Sequence, residues 1–415
     1  MTFDRPETPR RVPGARLFTP YRTLLATPGA RAFVVAGVVG RFPLSMLGLG
    51  AVLLVSGLTG SYGLAGAVSA TLAVSSSVLA PVAGSLSDRR GQRPVLLVGL
   101  ALHVLGVAGL VLATLGHAPV WTYFPAAVLA GAATPQIGAF VRARWTALVG
   151  GTPALHTAFS LESVLDEFVF VVGPVLVTFL SLRWWAPAGV VTATALAAVG
   201  SLLLAAQRRS APAPVSAARS ARAGSAMRTP GLRVVVPVFV AVGATFGTIE
   251  VSMVAFAAER GAATASGPLL ALLAFGSLVA GLLYGTVHWR RGMRDRFVLA
   301  LTAFTVGTVP LALAPSIGTM AAAVVIAGLT IAPTLVAGIG LVEALVPAAA
   351  RTEGFTWVST ALGAGFAPGA YLAGWIIDNS GAHRALFTAV GTAGVALVIA
   401  LAGARVLGAG RPAEK

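Results

Sequence analysis

Five ionisable side chains stand inside stretches that are otherwise apolar: Arg41, Glu162, Asp166, Glu167 and Glu250. An ionisable group at membrane depth is costly to bury, so each is a candidate for an ion or proton pathway. Glu162 and Asp166 are four residues apart and share one helix face, whereas Glu167 points roughly 100° away from Asp166. At ~1.5 Å per residue, Asp166 lies about 14 Å along its helix and Arg41 reaches about the same depth on another. Arg142 and Arg144 bring further positive charge to the same half, so Arg41, Arg142, Arg144, Glu162, Asp166 and Glu167 can form an inner charge network. Such a network either moves protons or is permanently paired to specify packing, and the sequence leaves both open. Glu250 has no basic neighbour in its own helix, which suits reversible proton uptake. Its bland alternative is a neutral, hydrogen-bonded acid in a packed bundle.

Little supports other chemistry. The chain has no cysteine, which removes disulfides, thiolate metal sites and cysteine nucleophiles. The histidines have no metal-ligand spacing, and no Gly-rich phosphate loop or clustered Ser/His/Asp set is present. No enzyme activity, cofactor or metal is expected; a membrane-embedded enzyme or sensor is the remote alternative.

The elements that carry these residues are membrane helices. Hydrophobic residues make up 57% of the 415 and charged residues only 10%, against about 25% charged in a soluble domain. Charge clusters and Gly/Pro/Ser turns divide the chain into twelve stretches apolar enough to span a bilayer. Six fall within residues 32–206 and six within 234–405. Between them lies a basic, flexible linker over 207–233, and tails occupy 1–31 and 406–415. The net charge is +16, from 29 basic and 13 acidic residues. With twelve crossings, 25 of the basic residues fall in tails and loops on one side; only Arg183, Arg260 and Arg384 fall on the other. The positive-inside rule places the basic side and both termini in the cytoplasm. The charge therefore speaks for orientation and anionic lipid contact, not for nucleic acid. A monomeric, multi-pass protein of the cell membrane is expected.

The chain also repeats itself. Gly84-Ser-Leu-Ser-Asp88-Arg89-Arg90-Gly91-Gln-Arg93 after the second stretch returns as Gly285-Thr-Val-His-Trp289-Arg290-Arg291-Gly292-Met-Arg294 after the eighth, at an offset of 201. Phe159-Ser160, Ser163 and Gly173 return as Phe355-Thr356, Ser359 and Gly369 at an offset of 196. The fold class is an all-α polytopic membrane protein, with twelve transmembrane helices in two six-helix bundles related by internal duplication.

The segment Gly84 to Arg93 fits the loop signature G-x-L-x-D-R-x-G-R-[KR], with Gln92 at its first basic position. In this loop, and in helix number, linker and duplication, the chain resembles the major facilitator superfamily. The resemblance implies a central cavity lined by helices 1, 4, 7 and 10, and alternating access by rocking one half against the other. It gives the loop residues Gly84, Asp88, Arg89, Gly91 and Arg93 a gating role. Asp88 would bind the positive N-terminal end of helix 11, near Thr352-Glu353, and hold the cytoplasmic side closed. The duplicate loop has Trp289 in place of the acid. The antiporter signature of helix 5 survives only as Gly173-Pro174, which weakens transfer of drug/proton antiport.

Met46, Gln136, Phe246 and Met253 are candidates to line an amphipathic pocket. The leading expectation is a secondary transporter that exports a small amphipathic or apolar compound in exchange for protons. Glu162, Asp166 and Glu250 would be its protonatable groups and Arg41 their counter-charge. Uptake or uniport of a small nutrient is the alternative.

Overall fold

The computed structural model describes residues 19–150, 152, 154–213, 226–286, 291–347 and 351–408. Side chains at 19, 20, 88, 156, 285, 286 and 351–353 lie outside the described set. Twelve helices among the described residues are long and apolar enough to cross a membrane. They are α1 (Ala30–Thr59), α2 (Tyr62–Ser87), α3 (Gln92–Leu115), α4 (Val120–Val149), α5 (Thr157–Arg183) and α6 (Ala188–Ala206) in the first half. The second half has α7 (Pro230–Glu259), α8 (Ala263–Tyr284), α9 (Met293–Leu313), α10 (Ile317–Leu345), α11 (Gly354–Ser380) and α12 (Ala382–Ala402). Of the linker, Arg208–Ser210 and Ala226–Arg228 form single tight turns, and 214–225 lie outside the described residues.

Local sequence explains where helices start and break. Ser61 caps α2 by accepting the Leu64 N–H at 3.1 Å, and Ser316 with Thr319 forms a reciprocal capping box at α10. Proline lacks the N–H that continues a helical ladder. Before Pro43, α1 breaks at Arg41-Phe42, between the segments Ala30–Gly40 and Pro43–Thr59. Around Pro135, α4 breaks between Tyr123–Ala132 and Ile137–Val149. Pro174, Pro333 and Pro368 sit inside continuous helices. Gly91 ends α2 with φ +85°, a left-handed backbone that glycine adopts without strain.

The buried apolar residues form three clusters, and their placement describes the molecule. One joins both halves: it takes Met46 to Val55 of α1 and Ala65 to Leu72 of α2, with Ile249 to Phe256 of α7 and Ala370 to Ile377 of α11. These lie away from the face that carries the described chain ends and most arginines, here called the basic face. The other two clusters belong to one half each and lie toward the basic face. One is built around Phe33, Phe140 and Trp145, the other around Phe239, Phe297 and Phe304. The halves are therefore sealed together at the far face and separate at the basic face.

Small residues make the seal possible. A Cβ added at Gly66 of α2 would overlap the Ala370 carbonyl of α11, and one at Gly374 would overlap Tyr62. Within the second half, Gly243 and Gly247 of α7 interleave with Gly365 and Gly369 of α11, each against the other helix's backbone. At Gly84, by contrast, no described residue lies within 4 Å of where a Cβ would be. Replacing Gly66 by Leu is expected to lower the melting temperature of the purified protein, by an overpacking cost of ~1–3 kcal/mol. Gly84→Leu should leave it unchanged, and equal effects would contradict the asymmetric seal.

Candidate functional site

Two groups of charged side chains occupy the membrane-spanning region, and they differ in one respect: pairing. The first group centres on Arg41. The break before Pro43 frees its guanidinium to reach α5, where Nη2 contacts Glu162 Oε2 at 2.5 Å and Nη1 contacts Asp166 Oδ1 at 2.9 Å. Arg142 of α4 takes the other Asp166 oxygen at 2.6 Å. The Trp145 indole donates to the second Glu162 oxygen at 2.9 Å. Trp145 is itself fixed edge-on against Phe33, with ring centroids 4.7 Å apart. Arg41 Nε also donates to the Gly37 carbonyl at 3.2 Å. Arg41 is 4% exposed and Glu162 fully buried. All four carboxylate oxygens thus have a donor, and two arginines balance two acids.

Arg144 was expected in this network, and the structure places it elsewhere. Its guanidinium donates to the carbonyls of Leu204 and Gln207 and to Ser210 Oγ, at 2.7 to 3.1 Å. It thereby satisfies the orphan carbonyls at the end of α6. Gln92 accepts its Nε–H at 2.8 Å and donates to the Phe140 carbonyl at 3.0 Å. The departure from the loop signature at Gln92 thus has a local reason: it anchors a buried arginine, where a second cation would be repelled.

The second group lines a cavity of about 560 Å³ between the two halves. Glu167 of α5 and Glu250 of α7 both face it, with hydroxyls of Ser45, Ser69, Ser76, Ser77, Thr134 and Ser277 and an otherwise apolar wall. No arginine, lysine or histidine lines it among the described residues. Neither carboxylate forms an ion pair among the described residues. Glu250 Oε1 is buried and has no hydrogen-bond partner there, and the same holds for Ser69 Oγ. Both crowd a place on α1 that has no side chain: a Cβ on Gly48 would lie 2.9 Å from Glu250 Oε1 and 3.4 Å from Ser69 Oγ.

The remaining candidates divide likewise. Phe246 lines the cavity as expected. Met46 and Met253 do not; both are fully buried in the cluster that seals the far face. Gln136 bonds its own chain at the Thr134 carbonyl, 3.1 Å away, and it is Thr134 that reaches the cavity. Glu162 and Asp166, the expected proton-coupling groups, are packed against arginines and do not line the cavity. Glu167, expected in the inner charge network, makes no ion pair among the described residues and faces the cavity instead, in keeping with its roughly 100° offset on the helix. Arg89 and Arg93 are exposed at the basic face. Asp88 and its expected partner region at Thr352-Glu353 have side chains outside the described residues.

Sequence reasoning missed Asp378, near the end of α11. Its carboxylate accepts from Ser61 Oγ and from the backbone N–H groups of Tyr62 and Gly63, all at 2.7 to 2.8 Å. It thus caps the N-terminus of α2, in the other half of the molecule, at the far face. Its signal was an acid at a predicted helix end, which without a tertiary partner reads as ordinary surface charge.

Two comparisons identify this architecture. The family model described as Major Facilitator Superfamily matches residues 33–324, more than half of the chain. The chain belongs to the Major Facilitator Superfamily. It is a multi-pass membrane protein with the transporter fold of that family, and a transporter rather than an enzyme. Among solved structures it is similar to the nucleoside transporter NupG, at TM-score 0.69 and 14% identity over 91% of this chain and 99% of that one. It is also similar to a peptide transporter POT in complex with sulfate, at TM-score 0.69 and 16% identity over 92% and 95%. The POT family transporter PepTSo matches at TM-score 0.68 and 10% identity over 91% and 97%. At these identities the likeness is one of fold. No curated protein matches the sequence.

The Arg41 network predicts a non-additive mutant series. Arg41→Met or Glu162→Gln alone leaves a buried charge short of its partner, which costs ~3–5 kcal/mol. Arg41→Met combined with Glu162→Gln should recover much of that loss, because Arg142 still holds Asp166. Melting temperatures of the three variants test this; a double variant as unstable as the sum of the singles would refute it.

Proposed function

We propose that this protein is a proton-coupled secondary transporter that carries a small amphipathic solute through the inter-half cavity by alternating access. The observation that supports this most is the contrast between the two charged groups. Proton uptake at Glu162 or Asp166 would break ion pairs to arginine, whereas at Glu167 or Glu250 it breaks none. A group that gains and loses a proton in each cycle needs that freedom. With the basic face in the cytoplasm, as the arginine asymmetry supports, the conformation is open inward, and both termini are cytoplasmic in the plasma membrane. The chain acts as a monomer, with lipid, proton and solute as its partners.

The cycle requires the far-face seal to open and the basic face to close. Asp378 is the polar part of that seal, a latch from α11 to the start of α2. At the opposite ends of the same two helices stand Asp88 and the beginning of α11, which the loop signature pairs when the basic face closes. The two contacts belong to alternate conformations, so each state of the rocking motion has its own carboxylate at a helix N-terminus.

Solved transporters of this fold include carriers of nucleosides and of peptides, which favours uptake or uniport of a small solute. Export in exchange for protons is the second reading, favoured by carboxylates that proton and cargo can share. Proteoliposomes with a proton gradient imposed in each direction separate the two, since symport accumulates solute on the side to which protons flow and exchange drives it the other way. In either direction Glu250→Gln together with Glu167→Gln should abolish the response to the gradient. Gradient-driven transport that survives this double change would overturn the reading.

Because the chain lacks cysteine, a single thiol reports access to the cavity. Ser76→Cys should react with an impermeant thiol reagent from the basic face and little from the far face. Adding Asp378→Ala, which removes charge-assisted hydrogen bonds of ~1.5–3 kcal/mol each, should raise far-face labelling about tenfold or more. Unchanged far-face labelling would remove Asp378 from the gate.

A further inference from the structure

We infer that the cavity binds its solute as an organic ammonium ion: an amine cation carrying an apolar body, whose N–H groups are received by Glu250 and Ser69 beside Gly48. The inference rests on the transport reading above and narrows its substrate class.

Three independent features lead to it. The cavity holds two carboxylates and no cation among its described lining residues, within a protein of net charge +16. An anionic cargo would be repelled by the ionised acids, and a neutral one would lack the ion-pair contact that they offer a cation. The acids are also accompanied by buried acceptors that lack a donor. Glu250 Oε1 and the fully buried Ser69 Oγ have no partner among the described residues, and both pack against the bare backbone of α1 at Gly48. A carboxylate oxygen accepts only, and a hydroxyl can accept as well, so a single ammonium with two or three N–H donors satisfies both at once. The rest of the wall is apolar: Leu44, Leu47, Phe170, Phe246, Ile249 and Phe366 surround the polar corner. This wall covers a hydrocarbon or aryl body, and its aromatic faces favour positive charge. Among helices bordering the cavity, α5 supplies Glu167 and α7 supplies Glu250. From α1, α2, α4, α8, α10 and α11 the lining residues are uncharged. Outside the wall, Asp166 adjoins Glu167 in the sequence and is already held by Arg41 and Arg142. Protons and the ammonium ion therefore compete for the same two carboxylates, and no arginine in the wall buffers the competition.

A matched set of ligands tests this on the purified full-length protein: 4-phenylbutylammonium, the neutral 4-phenylbutanol and the anionic 4-phenylbutyrate. Binding is read by calorimetry and by the shift of the melting temperature. The ammonium ion should bind saturably and at least about tenfold more tightly than the alcohol or the carboxylate, the ratio expected of one charge-assisted contact. Glu250→Gln should erase that preference, Ser69→Ala should reduce it several-fold, and acidification should weaken ammonium binding while the amine itself stays charged. Glu167→Gln, which removes the second cavity carboxylate, serves as the companion variant should Glu250→Gln prove unstable, with a smaller reduction of the charge preference expected. Equal binding of the three ligands, or an ammonium preference that survives both Gln variants, would overturn the inference. Counterflow of labelled 4-phenylbutylammonium in proteoliposomes separates the two claims. Binding without carboxylate-dependent counterflow would contradict the transport reading and leave the ammonium site intact. Counterflow of the alcohol alone would do the reverse.

Discussion

The architecture of the first half turns on one guanidinium. Arg41 sits where Pro43 interrupts α1, and from that break it binds Glu162 and Asp166 on α5 while Arg142 completes the pairing from α4. A buried charge is tolerated only with a partner, so this contact fixes the rotation of α5 about its axis. Once Asp166 is turned toward the arginines, the next residue, Glu167, must face elsewhere, and the direction it faces is the cavity. The pairing that stabilises one carboxylate is thus what exposes its neighbour. The positions of α11 that match Glu162, Asp166 and Glu167 are Val358, Leu362 and Gly363, so α11 does not repeat this cluster. In the second half, α7 and α11 are held instead by interleaved glycines.

The same division runs through the whole molecule. Apolar packing joins the halves at the far face and stays within each half at the basic face, so the cavity between them opens toward the basic face. Close backbone contact at Gly66 and Gly374 makes the seal compact where α2 meets α11. Asp378 adds a polar contact whose partners, the first N–H groups of α2, can turn to water when the latch releases. A rocking carrier needs two end states within a few kcal/mol of each other. Close backbone contacts between the halves at Gly66 and Gly374, with a carboxylate latch beside them, are suited to that requirement.

Much of this was legible before the structure. Twelve spans, the two halves, the common depth of Arg41 and Asp166, and the offset of Glu167 all follow from composition and helix period. What the sequence left hidden depends on how helices are turned against one another. Met46 and Met253 sit on the helices expected to line the cavity, yet they face the far-face core. Arg144 is two residues from Arg142 and so points to a different neighbour, the end of α6. Asp378 gains meaning only when α11 is placed beside α2, more than 300 residues earlier in the chain. Ser69 looks like any small polar residue in a span until its lack of a partner is seen. The buried acids were visible as a set, but their separation into paired and unpaired groups is a tertiary fact.

Counting which carboxyl groups change protonation tests that separation directly. Infrared difference spectra of the purified protein, recorded through a pH titration across neutrality, resolve the carbonyl stretch of protonated acids from the bands of carboxylates. The pairing seen here predicts that the titrating carbonyl signal disappears in the protein carrying both Glu167→Gln and Glu250→Gln. It also predicts that the signal persists when Glu162→Gln and Asp166→Asn are introduced instead. The opposite pattern, with the signal lost from the Glu162 and Asp166 variant and kept in the Glu167 and Glu250 variant, would contradict the account at its base.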